Sequence, residues 1–251
     1  MTLDAALIRD RLNGAALPVY CYETLDSTST ECRRRHAAGE TRCLVLAETQ
    51  TAGRGRSGKG FYSPAGAGLY MSLMFPLASG AEGGLTPYAA VCAAEAVEKL
   101  TGVSCGIKWV NDLFFEERKV CGILAEALGG CAILGVGINL TPAAVPEELR
   151  DIMGCLGLEG SHLREPLAAE IANGLLAWPV EDTAYMEEYR RRSVVLGRRV
   201  RFRLNGAETD GIAVEIADDG ALEIDTGVER AVLRSGEVSL RAVEGLKLPR
   251  Q

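Results

Sequence analysis

Three cations stand on a glycine-rich backbone in the stretch Gly53-Arg54-Gly55-Arg56-Ser57-Gly58-Lys59-Gly60. Glycine lacks a Cβ, so such a backbone turns tightly and lets a ligand approach closely. Guanidinium and ammonium groups carried there suit a small anion that is gripped and released, such as a carboxylate or a phosphate. The same composition also makes a solvated surface loop. The stretch is not a P-loop, because glycine follows Gly58-Lys59 where Ser or Thr is required. Nor is it a dinucleotide fingerprint, because Phe61, Tyr62 and Pro64 follow where a helix must open.

Four further clusters carry polar chemistry. Ser27, Thr28 and Ser29 lie in a run dense in helix N-cap residues. They serve as caps, or as a hydroxyl and N–H cluster for a polar ligand head. Lys108-Trp109-Val110-Asn111-Asp112 reads as strand, tight polar turn and strand, and Arg118-Lys119 as the tip of the next hairpin. Either pair is also compatible with a plain solvated turn. In Gly135-Val136-Gly137-Ile138-Asn139 two glycines interrupt a strand where a ligand or another backbone comes close.

The elements that must position these groups follow from hydrophobic periodicity. A short amphipathic helix is expected over Leu3–Leu12 and a strand over Leu17–Tyr22. A helix is expected over Thr30–Ala38, and a buried strand over Leu44–Ala47. After the loop come a strand over Gly68–Phe75 and a flexible turn at Gly80–Gly84. The next helix is capped by Thr86, has Pro87 in its first turn and stops at Gly102. Strands over Val120–Ala127 and Cys131–Leu140 follow, then helical segments across 142–193. Beyond Gly197, short strands are separated by turns at Asn205-Gly206, Asp218-Asp219-Gly220 and Thr226-Gly227, the spacing of a small barrel. The domain boundary is expected near residue 195, dividing the chain into 1–195 and 196–251.

Composition narrows the function. The net charge of −7 disfavours generic nucleic-acid binding and makes the basic loop a local exception, which points it at a small anion. No apolar run approaches the roughly 20 residues of a membrane span. The N-terminus lacks a signal-peptide pattern, so a cytoplasmic protein without membrane contact is expected. With eight cysteines in no Cys-x-x-Cys spacing and two histidines, buried free thiols are expected in place of disulfides or zinc.

Taken together, four motifs in one order resemble the biotin–protein ligases: Asp26-Ser27-Thr28, Gln50 with Gly53-Arg54-Gly55-Arg56-Ser57-Gly58, Lys108-Trp109-Val110-Asn111-Asp112, and Arg118-Lys119-Val120-Cys121-Gly122-Ile123-Leu124. Gly135–Asn139 and Gly236–Arg241 agree, so the resemblance runs from about residue 15 to 242. It implies an α+β fold: a mixed sheet with flanking helices, as in class II synthetases and lipoate ligases, plus a C-terminal SH3-like β-barrel. It implies a two-step reaction, in which biotin and Mg²⁺-ATP give biotinyl-5′-AMP, and a lysine of a biotin carboxyl carrier domain of a carboxylase then takes the biotin.

The resemblance also implies residue roles. Lys119, Arg54, Arg56 and Asp112 are the catalytic set. Ser27, Thr28, Ser29, Gln50, Arg54, Gly55, Arg56 and Lys119 bind biotin. Arg54, Arg56, Lys108, Asn111, Asp112 and Asn139 bind the nucleotide, and Asp112 holds Mg²⁺. Glu237 and Arg241 reach across from the barrel. Two positions depart from the pattern: Val110 replaces the usual proline, and Phe61 a common tryptophan. About 20 residues precede the first motif, so a monofunctional ligase is expected in place of a DNA-binding repressor. The resemblance is compatible with either a monomer or a homodimer. The alternatives are a lipoate or octanoate ligase of the same fold, or a non-catalytic module that holds biotinyl-AMP.

Overall fold

The structure is a computed structural model describing residues 2–14, 16–77, 83–143, 145–158, 161–179, 182–204 and 206–240. Its larger sheet has seven strands: β1 (Val19–Leu25), β2 (Cys43–Gln50), β3 (Gly68–Pro76), β4 (Gly106–Lys108), β5 (Asp112–Phe115), β6 (Arg118–Leu128) and β7 (Cys131–Asn139). Their order is β1-β2-β3-β7-β6-β5-β4. β1 pairs parallel with β2, and every other pair is antiparallel, so the sheet is mixed.

The period-2 alternation of strands gives this sheet two unlike faces. On β7, Ala132, Leu134, Val136 and Ile138 face the main core with Leu69, Met71 and Leu73 of β3. Helices α3 (Leu85–Thr101), α4 (Arg164–Leu176) and α5 (Tyr185–Arg192) supply apolar residues to that core. The other face presents Ser72, Gly135, Gly137, Gly122 and Leu124 at paired positions. Helix α2 (Thr28–Ala37) covers one end of it, packing Cys32 on Cys43, Val45, Met74 and Ile133. What α2 leaves uncovered is a cavity. The short α1 (Ala5–Arg9) is docked through its flanking chain, where Leu3 N donates to Glu48 Oε1 and Asp4 N to Glu165 Oε1.

The C-terminal sheet is antiparallel, in the order β11-β10-β9-β8-β12, built from β8 (Arg199–Leu204), β9 (Ala207–Ile216), β10 (Leu222–Asp225), β11 (Arg230–Leu233) and β12 (Ser239–Leu240). Trp109 joins it to the larger sheet: its indole is buried and Nε1 donates to Gly220 O at 2.9 Å. Among the described residues no helix is long and apolar enough to cross a membrane. All eight cysteines are free, and six of them are buried.

Several expected boundaries differ. Helix α2 opens at Thr28, not Thr30, with Ser27 at the cap position making no side-chain cap bond. Gly84, in the left-handed region at φ 78°, takes the cap position expected of Thr86 at the start of α3. The stop at Gly102 stands, its N–H donating to Glu98 O at 2.8 Å. Among the described residues of 142–158, where helix was expected, there is only one 3-10 turn, over Glu147–Leu149. This segment lies along the sheet instead, through Lys119 N to Ile152 O, Gly154 N to Lys119 O and Leu156 N to Asn139 O. The expected hairpin tip moves as well: Glu116 and Glu117 make the turn at φ 48° and 65°, and Arg118 and Lys119 belong to β6. Of the turn expected at Gly80–Gly84, residues 80–82 lie outside the described residues, as do Asn205 and Arg241.

Candidate active site

One cavity of about 360 Å³ opens on the uncovered sheet face. Ser27, Thr28, Ser29, Gln50, Arg54, Gly55, Arg56, Lys108, Asn111, Asp112 and Lys119 all line it. Three regions far apart in sequence, 27–29, 50–56 and 108–119, thus converge on one space. Asn139 does not reach it. This side chain lines a smaller adjoining pocket of about 120 Å³ with Phe61, Leu149 and Ile152.

At one end is a closed hydroxyl and amide network. Thr28 N donates to Gln50 Oε1 at 2.8 Å, and Gln50 Nε2 donates to Ser63 Oγ at 2.8 Å. Ser72 Oγ lies 2.8 Å from Thr28 Oγ1 and 3.0 Å from Ser29 Oγ. The sequence reading missed Ser72 and Ser63. The one signal in the sequence is a lone serine inside the otherwise apolar run Leu69–Phe75; in the structure Ser72 is fully buried. Gly135 pairs with Ser72 across β3 and β7, and a Cβ there would stand 2.9 Å from Ser29 Oγ. The glycine therefore keeps the hydroxyl cluster accessible.

The basic loop is an ordered hairpin. Gly55 N donates to Lys59 O at 2.7 Å and Phe61 N to Gly53 O at 2.8 Å, with Ser57 in the left-handed region at φ 55°. Gly53 is required here, since a Cβ would lie 2.4 Å from Phe61 O. The loop makes three side-chain attachments. Arg54 grips Glu126 of β6 in bidentate fashion, at 3.1 and 2.9 Å. Arg56 Nη1 donates to Asn111 Oδ1 at 2.9 Å. Lys59 Nζ lies 2.6 Å from both Glu237 carboxylate oxygens, so Glu237 does reach across from the C-terminal sheet. That contact holds the Glu237 carboxyl below its usual range, with burial opposing. Phe61 lies over the floor, where a Cβ at Gly137 would come 2.5 Å from its ring.

The middle of the cavity is charged. Lys119 Nζ lies 2.8 Å from Asp112 Oδ1, a buried oxygen with this ion pair but no aligned hydrogen bond. Lys108 pairs with Asp112 across the β4–β5 turn, and the Trp109–Val110 peptide within that turn is cis. Burial lowers the pKa of the Lys108 ammonium, with the Asp112 carboxylate opposing and Lys119 reinforcing. Asn111 is fixed to β6 by reciprocal 2.9 Å bonds with the Ile123 backbone. In the smaller pocket, Asn139 Nδ2 donates to Gly154 O at 2.9 Å, while its Oδ1 is buried without a partner. A polar slot, a cluster of cations and an orphan acceptor in an apolar pocket together suit a ligand with a polar head, an anionic centre and an aromatic amine.

The match to known proteins has the same shape. Residues 21–141 match the biotin/lipoate A/B protein ligase family and residues 195–241 the biotin protein ligase C-terminal domain. The chain is 33% identical to a biotin–[acetyl-CoA-carboxylase] ligase of Mycobacterium tuberculosis over 94% of its own length and 95% of that protein. It is 31% identical to the bifunctional ligase/repressor BirA of Escherichia coli, over 96% of this chain and 79% of that one. Among solved structures, it resembles the biotin protein ligase from Aquifex aeolicus in complex with biotin and ATP, with a TM-score of 0.76 and 26% identity over 90% of this chain and 99% of that one. The chain belongs to the biotin protein ligase family.

Proposed function

We propose that the protein is an ATP-dependent biotin–protein ligase that transfers biotin to a lysine on the carrier domain of a carboxylase, in the cytoplasm. The observation that carries this is the convergence of Arg56, Lys119 and Asp112 with Thr28, Ser29 and Gln50 in one cavity, with Ser72 buried behind the two hydroxyls. The relatives are biotin ligases, which supports the choice of biotin over lipoate.

The hydroxyl and amide end takes the ureido head of biotin, whose N–H and C=O groups need matched acceptors and donors in a buried setting. The carboxylate tail then points at Arg56 and Lys119. A carboxylate oxygen attacks the α-phosphorus of ATP, a new P–O bond forms, and the bond to pyrophosphate breaks. Negative charge grows on the phosphoryl oxygens as this happens, and fixed cations stabilise it. Asn139 Oδ1 accepts from the exocyclic amine of adenine, satisfying its missing bond. Asp112 is a fitting donor for Mg²⁺, an ion that takes one or two protein carboxylates and completes its shell with phosphate and water. Bound Mg²⁺ supplies positive charge to the phosphates. In the second step the acceptor amine attacks the acyl carbon and AMP leaves. The loop hairpin excludes water from the mixed anhydride until then.

The test is biotin-dependent loading of a purified carrier domain, followed by mass. A gain of one biotinyl group that requires ATP supports the proposal. Its absence, with folded enzyme and intact carrier, would refute it. We further propose that residues 1–195 and 196–251 fold as separate domains, which separate expression of the two pieces would check.

A further inference from the structure

Three side chains hold the basic loop to the body of the protein, and they are unequal. Lys59 and Glu237 are 64% and 56% exposed, so water and salt screen that pair. Arg56 makes a single bond to a neutral amide. Arg54 makes two charge-assisted bonds to Glu126, whose side chain is only 14% exposed. Arg33 of α2 donates to the same carboxylate at 2.7 Å. Glu126 lies two residues beyond Leu124, on the strand face that forms the cavity floor. Arg33 lies one helical turn beyond Ser29 of the hydroxyl cluster.

We propose that Glu126 is a positioning residue that clamps the loop shut over the head end of the cavity, using Arg54 as the loop's handle and Arg33 as its tie to the head-binding helix. The Arg54 guanidinium is thereby committed to Glu126, and Arg56 and Lys119 of the same cavity meet the carboxylate and phosphate. The clamp is one chain of contacts: α2 carries Arg33, Arg33 and Arg54 meet on Glu126, and Arg54 fixes the loop. This rests on the ligase reading for the identity of the small ligand.

The experiment uses the full chain with Glu126→Gln, which keeps shape and removes charge, and with Arg33→Met, Glu126→Asp and the Arg33→Met/Glu126→Gln pair. Two readouts are taken: the rate of tryptic cleavage at Arg54, Arg56 and Lys59 in the ligand-free protein, and the KM values and kcat of biotin-dependent pyrophosphate release. Expected for Glu126→Gln is loop cleavage about tenfold faster and a biotin KM about tenfold higher. The KM for ATP and kcat stay within about twofold, because no group at the phosphates has changed. Glu126→Asp recovers part of the loss. Arg33→Met moves cleavage and biotin KM in the same direction as Glu126→Gln, and the double variant is no worse than Glu126→Gln alone, as expected when one contact group has been removed twice. Unchanged cleavage and biotin KM in Glu126→Gln, or additive losses in the double variant, would overturn the proposal. If the wild type releases no pyrophosphate with biotin, the ligase reading fails, and the cleavage assay still decides the clamp.

Discussion

Replacing Lys119 with alanine separates chemistry from stability more cleanly than any other change in this cavity. Lys119 and Asp112 side chains are 29% and 20% exposed, and the ion pair measures 2.8 Å. A pair that wet lies between exposed pairs, worth at most about 1 kcal/mol, and buried ones, where loss of a partner costs about 3–5 kcal/mol. We therefore predict a folding cost of roughly 1–2 kcal/mol, with Lys108 still facing the abandoned carboxylate. At about 2–4 °C per kcal/mol for a chain of this size, Tm falls by less than about 8 °C. The chemical cost is larger. Loss of one preorganised donor at a developing anion costs about 2.7–4 kcal/mol, or about 10²–10³ in rate. Single-turnover formation of biotinyl-AMP, read by rapid quench beside a melting curve, measures both. A rate within about tenfold of wild type would remove Lys119 from the transition state. A variant without a cooperative melt at the assay temperature would make its role structural.

Other predictions follow the same geometry. Arg56→Gly removes the loop cation nearest Asn111, so biotinyl-AMP should form and then escape, appearing free in solution at least about tenfold faster. Retention of the intermediate would assign Arg56 no grip on it. Ser72→Ala leaves the Thr28 and Ser29 hydroxyls each short of a partner, at about 1–3 kcal/mol, so the biotin KM should rise while the ATP KM holds. Equal rises in both would place Ser72 outside the head site. Lys108→Met tests the buried ammonium. Its folded pKa lies below the unfolded one, so the unfolded chain binds more protons between the two values and stability rises with pH there. At neutral pH the charged form carries the full burial penalty, so the variant should melt higher than wild type. The gain should shrink as pH approaches about 10, while nucleotide affinity is lost at every pH. A pH-independent difference in melting would refute the assignment.

Much of the site was legible because its chemistry sits in compact motifs. The Gly-Arg-Gly-Arg loop and the Lys108–Asp112 turn bring their own geometry with them, and both line the cavity. What escaped was whatever depends on a distant partner. Ser72 looks inert within an apolar strand until α2 brings two hydroxyls onto it. Glu126 reads as the solvent-facing member of an alternating strand, yet it takes two arginines from elsewhere in the chain. The start of α2 was misplaced because every residue from Ser27 to Thr30 is a competent cap. The Thr28 hydroxyl is bonded to the site network, and Thr28 is already the first residue of the helix. The stretch before residue 158 carries helix-forming residues, but backbone bonds to Lys119, Asn139 and Leu140 hold it against the sheet. The bond from Trp109 to Gly220 O has no signature in sequence, since its acceptor is a backbone carbonyl 111 residues away.

The central claim is that this cavity activates biotin with ATP. Its most direct test is pyrophosphate release from ATP by the purified chain, with biotin and lipoate supplied separately. The account predicts release with biotin and none above background with lipoate. Release with lipoate alone, or with neither while biotin still binds, would contradict it.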